Sequence, residues 1–184
     1  MDTTTRGSAE RSTTSEDEAI AVCVRAMHLM GTGSLADLRT VIHPDATNRE
    51  GKDEPAACRG RGAEAFYATA LWLRAAYSDL HWEIHDAVHA GDLVVLHTSM
   101  AGRQTGPFVT YDERAAVKQA MPPNGKPFSV TQSHWFRVAD GKVVEHWANR
   151  DDLGLAEQLG WIPPTPKYLA RMALAKRRAA RAAG

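Results

Sequence analysis

Several things are scarce in this sequence of 184 residues, and each scarcity removes a class of function. Net charge is the first. Twenty-two basic side chains offset twenty-two acidic ones, so no field of one sign is present to draw in nucleic acid or an anionic membrane. There are two cysteines, Cys23 and Cys58, too few for a disulfide framework, and neither has the close Cys/His spacing of a zinc site. No apolar run approaches the roughly 18 residues of a membrane span. The opening stretch MDTTTRGSAERSTTSEDE has no apolar segment of the signal-peptide kind. No internal repeat is visible. The expectation is a reduced, cytoplasmic, globular chain of one domain, and an apolar fraction of 43% is enough to give it a core.

Residues 1–14 are polar, rich in Ser and Thr and without hydrophobic period, which predicts a disordered tail. Ser15 with Glu18 forms a capping-box signature, and Ala19, Ile20, Cys23, Val24, Met27 and Met30 follow at helical spacing. A second short helix is predicted from Ser34 through Ile42, stopped by His43-Pro44-Asp45. A polar loop, ATNREGKDEPAACRGR, leads to a third helix, GAEAFYATALWLRAAY. After Ser78-Asp79 the period changes to two: LHWEIHDAVHA and LVVLHTSMAG read as strands joined at Gly91-Asp92. Residues 103–126 hold so many turn formers that an excursion loop is expected. FSVTQSHWFRVA and KVVEHWANRDD are then two long strands around Asp140-Gly141, followed by a short helical stretch. The tail KYLARMALAKRRAARAAG is a helix former with six basic residues and no acid. Its basic face is expected to be solvated. Helices preceding a run of strands argue for an α+β fold, with residues 15–164 as the domain and 165–184 as a basic C-terminal helix or tail.

The hairpin QSHWFRVADGKVVEHWANRDD concentrates the chemistry, and its faces depend on the turn. A two-residue I′ turn at Asp140-Gly141 pairs Ala139 with Lys142 and puts His134 on the face of Trp147. A three-residue loop with Gly141 as the left-handed bulge residue pairs Val138 with Lys142 and sets His134 opposite His146.

The stretch DGKVVEHWANRDDLGLAEQLG resembles the closing hairpin and tail of SnoaL-like polyketide cyclases, within the nuclear transport factor 2-like superfamily. GDLVVLHTSMAGRQTG and AEAFYATALWLRAAYSDLHWEIHD are similar to the family's preceding strand and helix-to-strand passage. The similarity runs over roughly residues 16–160. It implies a cone-shaped α+β barrel, with three N-terminal helices packed in a strongly curved antiparallel sheet and a pocket open at one end. It also implies the bulged register. Many members pair through the outer sheet face, so a homodimer is expected, with Trp135 and Trp147 on that face. The family's cyclases use no cofactor: they remove a proton beside a carbonyl, and the enolate attacks a second carbonyl of the same molecule. Their acid/base carboxylate follows the His-Trp pair on the last strand. Here that position is Ala148, whose methyl group accepts no proton.

Catalysis is therefore expected of His134, His146, Arg150 and Asp152. The imidazoles would exchange protons, Arg150 would hold an enolate or carboxylate, and Asp152 would orient Arg150 or replace the missing carboxylate. Asn48, placed by the resemblance at the pocket rim, with Phe66, Tyr67, Trp82, Thr98 and Gln132, is expected to bind a hydrophobic, aromatic or polyketide-like carbonyl ligand. No metal site, nucleic-acid partner or membrane partner is expected. The leading expectation is cyclisation, isomerisation or hydroxylation by acid/base chemistry. Two alternatives stand beside it. One is epoxide or ester opening by water, with Asp151 or Asp152 as the second carboxylate near Arg150. The other is a cone that only binds a small molecule.

Overall fold

The computed structural model describes residues 15–182. The disordered tail expected at residues 1–14 lies outside them. Helix α1 (Glu16–Thr32) starts where the sequence signature places it: the Ser15 hydroxyl accepts from Glu18 N, and the Glu18 carboxylate accepts from Ser15 N. Ser34 and Asp37 repeat the device at the start of α2 (Leu35–Val41). Helix α2 ends one residue earlier than expected, because Ile42 already belongs to an extended segment, β1 (Ile42–Asn48). Two short 3-10 turns, Arg49–Asp53 and Ala56–Arg59, occupy the stretch read as loop. Helix α3 (Gly62–Ala76) follows. Gly62 has φ +70, and a Cβ there would stand 2.4 Å from the Pro44 carbonyl oxygen, so only glycine lets α3 start this close to β1.

Four long strands complete the main sheet: β2 (Tyr77–Ala90), β3 (Leu93–Gln104), β6 (Pro127–Ala139) and β7 (Lys142–Arg150). Their order is β1-β7-β6-β3-β2. All pairings are antiparallel except β1 with β7, which is parallel. The expected antiparallel sheet thus gains one parallel edge strand, because β1 returns beside β7 through the body of the molecule rather than through a hairpin. Bulges after Ser78 and Ile84 on β2 and at Val144 on β7 curl the sheet. Its concave face closes on α1 and α3 around Cys23, Met27, Phe66, Leu96, Phe136 and Val143.

The excursion read as loop is a second, two-stranded sheet, β4 (Phe108–Tyr111) and β5 (Val117–Met121). Strands of four and five residues hold too few alternations to show a period in sequence. This hairpin stands at the open end of the cone. It is tied there by the buried Gln104 amide, which donates to Met121 O and accepts from Trp161 Nε1. After α4 (Asp152–Gln158), the basic α5 (Pro166–Ala182) packs on β5. Among the described residues no helix is long and apolar enough to cross a membrane.

One cation fastens the helical layer. The guanidinium of Arg74 on α3 donates to the carbonyls of Leu29, Met30 and Gly33, at 2.6, 2.9 and 2.9 Å. These carbonyls cluster at the C-terminal, negative end of α1, where Leu29 O also takes the Gly33 N–H. Charge-assisted bonds of this kind are worth roughly 1.5–3 kcal/mol each in favourable settings, with strong non-additivity. Arg74→Met, which keeps most of the apolar stem, is therefore expected to lower the unfolding free energy by about 2–3 kcal/mol, read from urea denaturation.

Candidate active site

The β6–β7 hairpin resolves the choice of turn in an unexpected way. Ala139 pairs with Lys142, with Asp140 and Gly141 both at positive φ, so the turn is the two-residue form and not the three-residue loop. The extra residue is instead taken up two positions along: Val138 pairs with Val143, but Arg137 pairs with Glu145, leaving Val144 as a bulge. The register then sets His134 opposite Ala148, and His146 opposite Phe136. The expected His134–His146 pairing is thus displaced by two residues. A shift of two keeps the face, so both imidazoles still point into the cone. Trp135 and Trp147 lie on the other face, stacked at 6.0 Å, with Arg49 over Trp147.

At the closed end of the cone is a small apolar chamber of about 70 Å³, lined by Asn48, Phe66, Trp82, Gln132, His134, His146, Ala148 and Arg150 among others. It opens into a larger cavity of about 550 Å³. Glu50, Glu54, Trp72, Leu73, Met100, Gln132 and Arg150 line both. The outer cavity is walled by Tyr77, Phe108 and Trp161, and Tyr168, Leu169 and Met172 of α5 cover its mouth. The tail helix read as a basic, solvated segment therefore turns an apolar face to the cavity.

Polar groups in the inner chamber form one chain. Trp82 Nε1 donates to Gln132 Oε1 at 3.1 Å, and His134 Nε2 lies 2.8 Å from the same oxygen. His134 Nδ1 is 2.9 Å from His146 Nε2, and His146 Nδ1 is 2.9 Å from Asn48 Oδ1. Because Gln132 Oε1 only accepts, His134 carries its proton on Nε2, and His146 in turn donates from Nε2 to His134 Nδ1. That leaves His146 Nδ1 without a proton, facing an amide oxygen that already accepts from Glu50 N. One added proton on His146 would complete the chain. Electrostatics opposes it. Burial, then His146 and Arg150, hold His134, 6% exposed, well below the ordinary histidine value. Burial, then the Arg150 charge, lowers His146 to about 3. The pair is neutral at physiological pH.

Arg150 stands where the two cavities meet. Its Nη2 is 3.3 Å from Glu50 Oε2 and its Nε 3.5 Å from Asp152 Oδ1. Asp152 is 70% exposed, at the outer cavity. Period-two alternation stops at Arg150, and Asp151 caps α4 by accepting from Gly154 N, so Asp152 opens a helix instead of continuing the inward face. Neither of the carboxylates on which water activation relied, Asp151 and Asp152, thus reaches the inner chamber. Two of the expected ligand contacts are corrected as well. Tyr67 lines neither chamber, since one residue along a helix is a turn of about 100° from Phe66. Thr98 is fully buried among longer register neighbours, Ile84 and Gln132, and reaches neither cavity. Asn48 sits in the inner chamber rather than at the rim.

Sequence reasoning missed three groups. Glu54 is buried and takes a 2.5 Å bond from Thr69 Oγ1, and burial raises its pKa. Tyr77, 2% exposed, lines the outer cavity with a hydroxyl that has no partner among the described residues. Glu50 accepts from Ala148 N at 3.2 Å. Glu50 and Glu54 came from a stretch read as polar loop, and no local period singled them out.

An α+β cone with a deep apolar pocket and convergent polar groups at its closed end defines a small-molecule site on a nuclear transport factor 2-like scaffold. The profile of the SnoaL-like polyketide cyclase family matches residues 21–159. The chain is 32% identical over 144 residues to the aklanonic acid methyl ester cyclase DnrD of Streptomyces peucetius, spanning 78% of this chain and 91% of that one. It is 31% identical over 133 residues to the nogalonic acid methyl ester cyclase of Streptomyces nogalater, spanning 70% and 87%. Among solved structures, TsrD from Streptomyces laurentii superposes with a TM-score of 0.64 at 26% identity, over 80% of this chain and 98% of TsrD. The protein belongs to the SnoaL-like polyketide cyclase family.

The depressed histidine pKa values carry a sign that can be checked. The unfolded chain binds protons near 6.5 while the folded one does not, so stability is full above that pH and is lost as pH falls toward the folded values. The urea midpoint is expected to fall below about pH 6.5, and to fall less steeply in His134→Gln/His146→Gln.

Proposed function

We propose that the protein is a cofactor-independent cyclase that closes a ring in an aromatic polyketide methyl ester. The supporting observation is the cavity pair: about 550 Å³ of largely apolar space, walled by aromatic rings, narrowing to a chamber where Arg150, Gln132, His134 and His146 converge. That volume lies in the range of small-molecule sites, roughly 300–1,000 Å³. A flat polycyclic ligand suits the wall made by Tyr77, Phe108 and Trp161, whose rings stack at 5.5 and 5.6 Å. DnrD and the relative from Streptomyces nogalater are, by name, methyl ester cyclases.

Intramolecular aldol addition asks for three things: a base to take the proton beside a carbonyl, donors to hold the enolate oxygen, and dry surroundings. Arg150 supplies a fixed cationic fork for the enolate. Neutral His134 and His146, held in one hydrogen-bonded chain from Gln132, orient the closed end and hold water out without adding charge. Asp152, at the mouth, steadies Arg150. Ala148 excludes a base at its own position on the last strand. The half-buried Trp135–Trp147 stack on the outer sheet face, extended by Arg49, is the face through which a homodimer forms.

With no cofactor added, purified protein is expected to convert aklanonic acid methyl ester into an isomer of equal mass and different retention, read by liquid chromatography with mass detection. A product one water heavier, or the free acid, would instead mark hydrolysis. Arg150→Lys is expected to lower kcat by about 10²-fold, since one displaced oxyanion donor costs roughly 10²–10³.

A further inference from the structure

Ala148 leaves the strand without a carboxylate, yet one stands against it. The parallel register of β1 on β7 sets Asn48 beside His146, so the chain two residues further on runs alongside Ala148. There the 3-10 turn, capped by Asn48 itself, delivers Glu50. Its Oε1 accepts from the Ala148 backbone N–H at 3.2 Å, and its Oε2 lies 3.3 Å from Arg150 Nη2. The side chain is 19% exposed and lines both cavities. We infer that Glu50 is the catalytic base, supplying across the β1–β7 seam the proton acceptor that the last strand lacks. This rests on the cyclase reading of the site.

The other carboxylates around the cavities lack one requirement each. Glu54 is engaged by Thr69, and burial favours its neutral form. Asp53 and Asp152 are exposed and line the outer cavity alone. Among them only Glu50 both lines the two chambers and pairs with the cation that holds the enolate; Asp152 reaches that cation from the outer cavity alone. The small residue beside Glu50 has a reason too: an Asp at position 148 would set a second negative charge against it. Tyr77, whose buried hydroxyl has no partner among the described residues, lines the outer cavity beyond this junction.

The step balances within one molecule. A Glu50 oxygen takes a proton from the carbon between a ketone and an ester. The C–H electron pair becomes the enolate, its oxygen at Arg150. The enolate carbon bonds to a second carbonyl carbon, whose π pair moves to its oxygen. That oxygen recovers the proton from the Glu50 carboxylic acid, so the product is an isomer and the enzyme is unchanged.

Two readouts on the full chain separate this inference from the cyclase reading. One is ring closure of aklanonic acid methyl ester. The other is deuterium exchange, above background, at the activated methylene of an anthraquinone β-keto ester that lacks the accepting carbonyl. Glu50→Gln keeps an oxygen for the Ala148 N–H, and is expected to lose about 10²-fold or more in both kcat and exchange, with KM changed by less than about threefold. Adding Ala148→Asp to that variant is expected to recover about tenfold, a gain that a merely structural role would not produce. Glu50→Asp, with charge kept and reach shortened, guards against a folding defect: it should hold the thermal midpoint within about 3 °C and still lose rate. Closure and exchange that survive Glu50→Gln would overturn the assignment and leave the cyclase standing. Exchange that depends on Glu50 without any closure would uphold the base and remove the cyclase reading. If the wild-type protein does neither, both fall.

Discussion

The chemistry of this molecule is aimed by one strand, β7, held between an antiparallel neighbour and a parallel one. From β6 it takes its register: the tight turn at Asp140-Gly141 and the bulge at Val144 together turn His146, Ala148 and Arg150 inward and Trp147 outward. From β1 it takes its polar company, since Asn48 and Glu50 reach His146, Ala148 and Arg150 only because that edge strand runs parallel beside it. A slip of one residue on either side would put the indole of Trp147 in the cone and the charges in solvent.

Burial then sorts the groups that β7 aims. The two imidazoles lie too deep to hold a charge, and Arg150 nearby reinforces that, so they act as a neutral, hydrogen-bonded lining. Arg150 and Glu50, nearer the junction with the outer cavity, form an ion pair across the seam. Glu54, buried against Thr69, is pushed the opposite way from a paired carboxylate. A graded environment of this kind, neutral at the floor and charged at the waist, suits a reaction that begins with a neutral carbon acid and passes through an anion.

The open end has its own economy of parts. The β4–β5 hairpin, Trp161 and α5 make an apolar collar, tied to the sheet through Gln104. Helix α5 buries none of its residues completely, yet Tyr168, Leu169 and Met172 face the cavity while its basic side chains face water. A strongly basic tail can thus serve an apolar purpose, because a helix shows different residues to its two sides.

Local patterns alone were enough for the capped α1, the long period-two strands and the concentration of imidazole, indole and charge on the last hairpin. Each depends on neighbours a few residues apart. The resemblance carried by that hairpin extended this to the cone. The sequence also fixed that position 148 holds no acid. What tertiary structure decided was everything involving partners distant along the chain. The stretch at Ile42–Asn48 becomes a strand only because β7 offers it an edge, and the short β4–β5 hairpin needs the sheet end to lie against. The bulge at Val144 reflects the packing of two faces and not turn chemistry, which is why the inward face was legible while the pairing of His134 was not. Period two ends at Arg150 for a local reason, the Asp151 cap, but that cap became visible only as a helix start. Glu50 was hidden most completely: 98 residues separate it from Ala148, and no periodicity in sequence links a 3-10 turn to the strand that lies beside it.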